Sequence, residues 1–524
     1  MSEFFKQVIK SLTTVIKSHS DFNNHLQITI AKENILKVIQ QLKHLNGRLL
    51  TMVGNDEREL VDSFNLYYVF AFDQEQSLIT VKLSISEEDP SFPSVTNKYP
   101  AFNWYEREVH DLLGLKPVGH PDDQPLLLLQ SWPKGNYPLR KDYPVDRMQE
   151  HIEAQDWFTT TYEGEAVTQV PVGPIHAGII EPGHFRFGVA GDMILHLDAQ
   201  LFFKHRGLEK KTEGKSLTDT LFIAERICGM CTVSHAVAYA QAVEQITGTI
   251  VPRRAVYLRM LYLELERLYN HIGDIGDICS GAGFHFGTVQ GARLKEQLQQ
   301  LNEQVTGHRF LRGVIALGGV RRELKKHEAD YIHTKLTNIK RDFRELINII
   351  LDHEITLDRM ATTGYLTNEM ANDYEVVGPA ARASGRKVDI RKSHPYLAYD
   401  QLTFDIPLQE KGDVLSRVNL RIDEVFISFS LIQQILEKLP NGDLMAKLGN
   451  VKPYKIGLGW TESALGENVH WVMTGPDATI YRYRIRSAAY SNWPAVPQTV
   501  VGNIVPDFPI INKSFELCYA CCDR

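Results

Sequence analysis

The sequence predicts two unlike parts: an α+β domain at the amino terminus and a mainly α-helical domain with a bundle of long helices behind it. Apolar residues alternate over short stretches before residue 145, which is typical of strands, and recur at helical spacing in the later part of the chain. Residues 146–166 are polar and have no clear period, so we expect a linker there. The predicted domains are therefore residues 1–145 and 167–524.

Composition limits the class of protein. The 524 residues are 43% hydrophobic and 23% charged, as in ordinary soluble proteins. The net charge of −7 argues against nucleic acid as a partner. The sequence contains no apolar run long enough to span a membrane. The amphipathic segment Met1–Ser20 lacks the apolar block of a signal peptide and predicts a docking helix, so we expect a cytoplasmic protein.

Individual elements follow from the same patterns. In the first domain, we predict a half-buried strand over residues 26–30, a helix over 35–45 and a hairpin formed by 64–72 and 79–85. In the second domain, we predict four helices. The first begins behind Cys231 and ends at Gly248, the second begins at Pro252, and the other two cover 332–350 and 414–436.

The six cysteines indicate a metal site. Four of them form two Cys-x-x-Cys pairs, Cys228 with Cys231 and Cys518 with Cys521, which leaves Cys279 and Cys522. Paired thiolates chelate soft metals, and a reducing compartment favours metal binding over disulfides. The spacing leaves a structural zinc site and a redox metal both open. Two remaining cysteines are too few for an iron–sulfur cluster, and no dinucleotide-binding motif is present, so we expect neither cofactor.

The motifs around these cysteines resemble the large subunit of [NiFe] hydrogenases, in particular the membrane-bound group 4 enzymes of the formate hydrogenlyase and hydrogenase-4 type. They are Arg206-Gly207-Leu208-Glu209, Arg226-Ile227-Cys228-Gly229-Met230-Cys231 with His235, and the terminal Cys518-Tyr519-Ala520-Cys521. Residues 1–145 also resemble the complex I 30-kDa subunit, through 105–114, 119–121 and 138–144. Residues 167–524 resemble the 49-kDa subunit, which in complex I lacks the four cysteines.

The resemblance implies a site and an activity. Cys228, Cys231, Cys518 and Cys521 would bind nickel, and Cys231 and Cys521 would bridge to an iron that carries CO and CN⁻. Glu209 would carry protons beside the catalytic Cys518, and His235 would hydrogen-bond a bridging thiolate. An ion-paired glutamate and an ordinary core histidine are the alternatives for these two residues. The centre would interconvert H2 with protons and electrons, and the resemblance also allows a magnesium ion.

The resemblance implies partners as well. Electrons would pass to a small iron–sulfur subunit with a proximal [4Fe–4S] cluster, and further hydrophilic and membrane subunits would complete a complex-I-like assembly on the inner face of the cytoplasmic membrane. Maturation proteins would insert the nickel–iron centre. Relatives lose a carboxy-terminal peptide after insertion, and the end at Arg524 fits either a processed chain or a gene without that peptide.

Departures from the family pattern cluster near the predicted metal. Leu465 replaces an arginine, Ala464 a proline, Glu516-Leu517 an Asp-Pro pair, and His285 an aspartate. A guanidinium stabilises anionic CN⁻ ligands by charge-assisted hydrogen bonds, and leucine does not. The departures therefore favour an alternative function: a complex-I-like subunit that acts in electron transfer or ion translocation without H2 turnover.

Overall fold

The computed structural model describes residues 1–22, 24–122, 124–129, 131–144, 166–176 and 181–524. The described residues form two compact units. The first contains the residues up to 144 together with Gln200–Lys211 and Asp373–Glu375, and the second contains the remainder. The predicted linker, 146–166, lies outside the described residues except for Ala166. Within the described ranges, no helix combines the length and apolar character needed to cross a bilayer.

The first unit is an α+β fold on a five-stranded sheet with the order β1-β2-β5-β4-β3. Strands β2 and β5 are parallel, and the other neighbours are antiparallel. The strands are β1 Ile16–Phe22, β2 His25–Ile30, β3 Arg48–Asp56, β4 Phe64–Phe72 and β5 Ser77–Ile85, with a separate parallel pair β6 Ser91–Pro93 and β7 Lys116–Val118. The helices are α1 Glu3–Ser11, α2 Ile35–His44, α3 Arg58–Val61, α4 Asn103–Leu113 and α5 Leu208–Lys211.

The element predictions for the first domain are confirmed. Burial alternates along β2, as expected of a strand with one buried face. The apolar stripe of α2 is buried at Ile35, Val38, Ile39 and Leu42. Strands β4 and β5 form the predicted antiparallel hairpin.

The amino terminus differs from the prediction. A helix was expected over Met1–Ser20, but α1 ends at Ser11 and β1 follows as an edge strand. The run Thr13-Thr14-Val15-Ile16 is β-branched, which disfavours helix and favours strand. The helix packs within its own unit, because Phe5 and Val8 are buried and the Phe4 ring lies 5.0 Å from that of Phe72.

The second unit is mainly helical, and the four predicted helices are present as α7, α8, α10 and α15. Its helices are α6 Leu217–Ala224, α7 Thr232–Thr247, α8 Arg253–Gly281, α9 His285–Thr306, α10 Lys326–Leu351, α11 Glu354–Met360, α12 Asn368–Asp373, α13 Gly378–Ala383, α14 Ile390–Ser393, α15 Val414–Lys438, α16 Ala488–Asn492, α17 Val496–Val500, α18 Phe508–Phe515 and α19 Tyr519–Asp523. Helices α8, α10 and α15 form a long-helix bundle, as predicted, together with α9, which was not predicted. Helix α7 ends at Gly248, whose φ of +65° suits glycine.

Two three-stranded sheets in the second unit were not predicted. They are β8 Val167–Val172, β9 His184–Ala190 and β10 Met193–Gln200, and β13 Ile456–Ser463, β14 Gly466–Thr474 and β15 Ile480–Arg486; a short pair, β11 Ile315–Ala316 and β12 Gly319–Val320, lies between them in the chain. Helix α7 lies directly on the backbone of β13. A Cβ atom at Gly459 would stand 1.9 Å from the Ala238 carbonyl oxygen, so only glycine permits this approach.

Candidate metal centre

Both Cys-x-x-Cys pairs have the same local geometry. The Cys231 N–H donates to Cys228 Sγ at 3.3 Å, and the Cys521 N–H donates to Cys518 Sγ at 3.4 Å. Each turn leads into a helix, α7 after Cys231 and α19 after Cys518. The amino terminus of the long helix α7 favours an anionic sulfur. The two short segments thus present their sulfurs in equivalent ways.

Tertiary folding brings the two pairs together within the second unit. The Sγ atoms of Cys228, Cys231 and Cys521 all lie within 4.8 Å of one another, and all three side chains are buried. Cys518 is tied to this group through its own pair, because its Sγ accepts the Cys521 N–H at 3.4 Å. Three of the four predicted ligands therefore lie in one cluster, and the fourth stands one turn away from Cys521.

The pKa values of the four thiols differ in direction. Hydrogen bonds from Cys231, Cys518 and Cys521 hold the pKa of Cys228 well below its usual range. The same contacts with Cys228, together with burial, raise the pKa values of the other three thiols well above theirs. One thiolate forms readily, and three more require a bound cation. A donor set of three buried sulfurs, with the half-buried Cys518 beside them, fits a thiophilic metal ion such as nickel or zinc.

His235 lies beside this group, as the resemblance implied. It is on the first turns of α7, is fully buried, and its Nε2 lies 3.1 Å from Cys521 Sγ. Its Nδ1 lies 2.8 Å from Nε2 of His470 on β14. The imidazole thus connects a sulfur of the group to a residue of the neighbouring sheet.

Glu181 is a site residue that the sequence reasoning missed. Its Oε2 accepts the Ala520 N–H at 3.0 Å and lies 3.9 Å from Cys518 Sγ. The stretch Glu181-Pro182-Gly183-His184-Phe185 also resembles the family pattern, and this resemblance is the signal that could have indicated the residue. Glu209, the predicted proton carrier, is a buried residue of α5 in the first unit, and its role stays a prediction.

Glu266 was also missed, and it supports the segment that carries the first cysteine pair. From the interior of α8, its carboxylate accepts the N–H groups of Val233 at 2.6 Å and Ser234 at 3.0 Å, in the first turn of α7. Burial raises the pKa of Glu266 to about 8. A glutamate within the apolar stripe of a helix indicates a buried carboxylate that accepts hydrogen bonds, here from the free N–H groups at the start of another helix.

Of the residues that depart from the family pattern, Ala464 and Leu465 lie in a buried turn, whereas His285 is the exposed first residue of α9. Ala464 and Leu465 form the two-residue turn between β13 and β14, and each is 2% exposed. The Arg267 guanidinium donates to the carbonyls of Glu462 at 2.6 Å and Ser463 at 3.1 Å, which fixes this turn.

The same hairpin is attached to the first turn of α7. Thr461 Oγ1 donates to the Ser234 carbonyl at 2.9 Å, and Asn468 donates to Ser234 Oγ at 3.2 Å. The turn that carries Leu465 therefore has a fixed relation to the helix that starts at the cysteines. In the other departing segment, Glu516 ends α18 with a φ of +52°, and Leu517 is buried.

The remaining cysteines lie outside the sulfur group. Cys279 is fully buried, burial raises its pKa to about 12, and a Cβ at Gly287 would stand 2.7 Å from its sulfur. Close packing accounts for this thiol. Cys522 is likewise buried, next to the second pair in the chain. In the described part of the chain, the sulfur group is the single cluster with metal-ligand geometry.

A helical bundle that joins two distant Cys-x-x-Cys pairs, preceded by an α+β domain, defines a class: large subunits of nickel-dependent hydrogenases and their complex I relatives. Family models agree with this class. "Nickel-dependent hydrogenase" matches residues 206–273, and the 49 Kd subunit of respiratory-chain NADH dehydrogenase matches 282–458 and 448–524. The 30 Kd subunit of the same enzyme matches 28–149.

Individual relatives extend the match over nearly the whole chain. Formate hydrogenlyase subunit 5 of Escherichia coli (strain K12) is 37% identical, over 96% of this chain and 89% of its own. Hydrogenase-4 component G of the same strain is 35% identical, over 95% and 88%. A chain of the membrane-bound sulfane sulfur reductase, an archaeal respiratory membrane complex, has a TM-score of 0.65 at 27% identity, over 69% and 100%.

The chain belongs to the large-subunit family of membrane-bound, group 4 [NiFe] hydrogenases, which is related to fused complex I 30-kDa and 49-kDa subunits. The resemblance and the two-part fold class predicted from the sequence are both confirmed. As a member of this family, the chain is an oxidoreductase subunit.

Proposed function

We propose that this chain binds a nickel–iron centre through Cys228, Cys231, Cys518 and Cys521 and interconverts H2 with protons and electrons. The observation that carries the proposal is the buried group of Cys228, Cys231 and Cys521, whose Sγ atoms lie within 4.8 Å of one another, with Cys518 one turn before Cys521. The nickel-dependent hydrogenase match, which includes the first cysteine pair, supports it.

The residues of the chain hold the centre and handle the proton. A nickel–iron centre with CO and CN⁻ on the iron supplies, when bound, the redox chemistry of H2. The Glu181 carboxylate, 3.9 Å from Cys518 Sγ, is near enough to exchange a proton with that sulfur. The His235 Nε2–H, 3.1 Å from Cys521 Sγ, disperses negative charge on that thiolate. Glu209 remains the family-based candidate for the proton carrier.

The partners follow from the electron balance. Oxidation of one H2 releases two electrons, and the described cysteines outside the sulfur group are too few to hold an iron–sulfur cluster. We therefore expect a small subunit with a proximal [4Fe–4S] cluster, other complex-I-like subunits, and maturation proteins for metal insertion. Relatives named as a subunit or component of larger enzymes support an assembly at the inner face of the cytoplasmic membrane. Magnesium stays a prediction.

Infrared spectroscopy and metal analysis of the anaerobically purified native complex test the proposal. We expect bands of metal-bound CO and CN⁻ and one nickel per chain. The Cys518→Ser variant should lose nickel, whereas Cys279→Ser, which changes a buried thiol outside the sulfur group, should retain it. A native complex without these bands, or one that contains zinc, would contradict the proposal, as would full nickel content in Cys518→Ser.

A second candidate function rests on Leu465. The side chain at this position is buried and apolar, so it cannot stabilise charged metal ligands. This favours a subunit that keeps a metal centre but transfers electrons in another reaction, as the name of the sulfane sulfur reductase suggests for that relative. Infrared bands without H2-dependent hydrogen–deuterium exchange would favour this second function.

A further inference from the structure

A chain of three buried hydrogen bonds starts at one sulfur of the metal site. Cys521 Sγ lies 3.1 Å from His235 Nε2, and His235 Nδ1 lies 2.8 Å from His470 Nε2. His470 Nδ1 in turn lies 2.6 Å from the hydroxyl of Tyr483. His235, His470, Tyr483 and Cys521 are all fully buried. Hydrogen-bond contacts therefore reach both ring nitrogens of each histidine.

The fold holds the three side chains in line. His235 is on α7, whereas His470 and Tyr483 are on the adjacent antiparallel strands β14 and β15. Tyr483 is paired with Val472, two residues from His470, so the two side chains share one face as diagonal neighbours. Because α7 packs against this sheet, the His235 side chain reaches His470 from the helix side of the sheet.

The protonation of Cys521 Sγ determines which atom donates in each of the three hydrogen bonds. A metal-bound thiolate carries no proton, so it accepts, and His235 Nε2 must donate. A neutral His235 then has a lone pair on Nδ1, which requires His470 to donate from Nε2. His470 Nδ1 is left as an acceptor, which requires the Tyr483 O–H to donate.

We propose that His470 and Tyr483 are positioning residues that hold His235 as the tautomer whose Nε2–H donates to the Cys521 sulfur. This inference rests on a metal at the four cysteines, as proposed above. Loss of the Tyr483 hydroxyl removes the hydrogen bond that keeps His470 Nδ1 as an acceptor. The opposite tautomers would then turn a lone pair of His235 towards the sulfur, which weakens metal binding and changes the electron density at the centre.

The decisive variant is Tyr483→Phe, with Tyr239→Phe as its matched control. Tyr239 is also fully buried, and its ring lies 5.4 Å from that of Tyr483, but its hydroxyl donates to the Leu217 carbonyl, outside the chain of hydrogen bonds. In the native complex, Tyr483→Phe should shift the CO and CN⁻ infrared bands, whereas Tyr239→Phe should leave them in place. Equal spectra for Tyr483→Phe and native complex would overturn the proposal.

A readout with Zn²⁺ separates this inference from the proposed function. In the full-length chain loaded with Zn²⁺, Tyr483→Phe should bind the ion about 10-fold more weakly, and Tyr239→Phe should bind it as the native chain does. In a His470→Ala background, residue 483 has no imidazole to hold, so Tyr483→Phe should have no further effect on Zn²⁺ binding. Nitrogen NMR of labelled histidines should show the Nε2–H form of His235. A native complex without CO and CN⁻ bands removes the proposed function alone, whereas an Nδ1–H or doubly protonated His235 overturns this inference.

Discussion

Two buried polar regions of the second unit differ in how their charges are balanced. One is the sulfur group of Cys228, Cys231, Cys518 and Cys521. The other is a cluster of charged side chains from α8, α13, α14, α15, β13 and the adjoining chain. Its members are Glu264, Arg267, Arg382, Asp389, Arg391, Glu424 and Glu462, each at most 2% exposed.

The charged cluster neutralises itself. Arg382 donates to Glu424 at 2.6 Å and to Glu462 at 2.8 Å, and Arg391 donates to Asp389 at 2.7 Å. Burial alone would raise the pKa of Glu424, but Arg382 and His271 hold it well below its usual range. Burial raises the pKa of Glu462 to about 7, so near neutrality this residue is the partly protonated member. The three arginines of the cluster are then balanced by three ionised carboxylates, those of Glu264, Asp389 and Glu424.

The sulfur group has no such internal balance. Its sulfurs contact backbone N–H groups, the His235 imidazole and the Glu181 carboxylate, and no guanidinium or ammonium group is among these contacts. The pKa values of three of its four thiols lie well above their usual range. A buried anion without a counter-charge is costly, so the group is complete only when a cation enters it. The two regions therefore differ in whether their own side chains balance the buried charge.

The largest expected effect concerns proton transfer at the sulfur group. Glu181→Gln keeps the acceptor for the Ala520 N–H but cannot release a proton, so H2-dependent hydrogen–deuterium exchange should fall 10²- to 10⁴-fold. The infrared bands and nickel content should remain. Glu209→Gln is the comparison variant. If exchange falls in Glu209→Gln and not in Glu181→Gln, the proton carrier is the residue that the family pattern indicated.

The charged cluster should respond through stability. Arg382→Met leaves Glu424 and Glu462 without a main partner, so the free energy of unfolding should fall by about 3–5 kcal/mol in chemical denaturation. Arg309→Met removes a guanidinium that pairs with Glu296, where both side chains are 44% exposed, and should lower the free energy of unfolding by about 1 kcal/mol or less. Equal losses in the two variants would remove the distinction between the cluster and an exposed ion pair.

A pH dependence should identify the protonated member of the cluster. Glu462 ionises near pH 7 in the folded chain and near 4.5 when unfolded, so the unfolded state binds fewer protons between these values. Its contribution to stability therefore falls as the pH rises from 4.5 to 7. Relative to the native chain, Glu462→Gln should gain up to about 3 kcal/mol in unfolding free energy between pH 5 and pH 7.5. A difference that does not vary with pH would show that Glu462 is ionised throughout.

The smallest expected effect concerns the departure at the β13–β14 turn. If the missing guanidinium limits H2 turnover, Leu465→Arg should raise the rate about 10- to 100-fold, the usual scale for groups that support metal ligands. Leu465→Lys is the matched control, because it adds a charge without the planar fork of arginine. Both variants must first assemble with the complex. An unchanged rate in assembled Leu465→Arg would mean that other residues limit turnover.

Sequence reasoning succeeded where the signal is local. The apolar period of α7, α10 and α15 lies within each helix, and Gly248 ends α7 through its own backbone preference. It failed at the amino terminus, where an apolar stripe was extended past Ser11 into β-branched residues. It also missed β13 to β15, although alternation in Ile480–Arg486 was a readable strand signal.

By itself, the sequence determined the two-part architecture, the long helices and the two Cys-x-x-Cys turns, because these depend on residues a few positions apart. Only the tertiary structure decided which residues meet at the sulfurs. Glu181, His470 and Tyr483 come from separate strands and loops, and Glu266 reaches α7 from the middle of α8. Contacts of this kind depend on long-range packing of the sheet and the bundle, which a local sequence pattern does not predict.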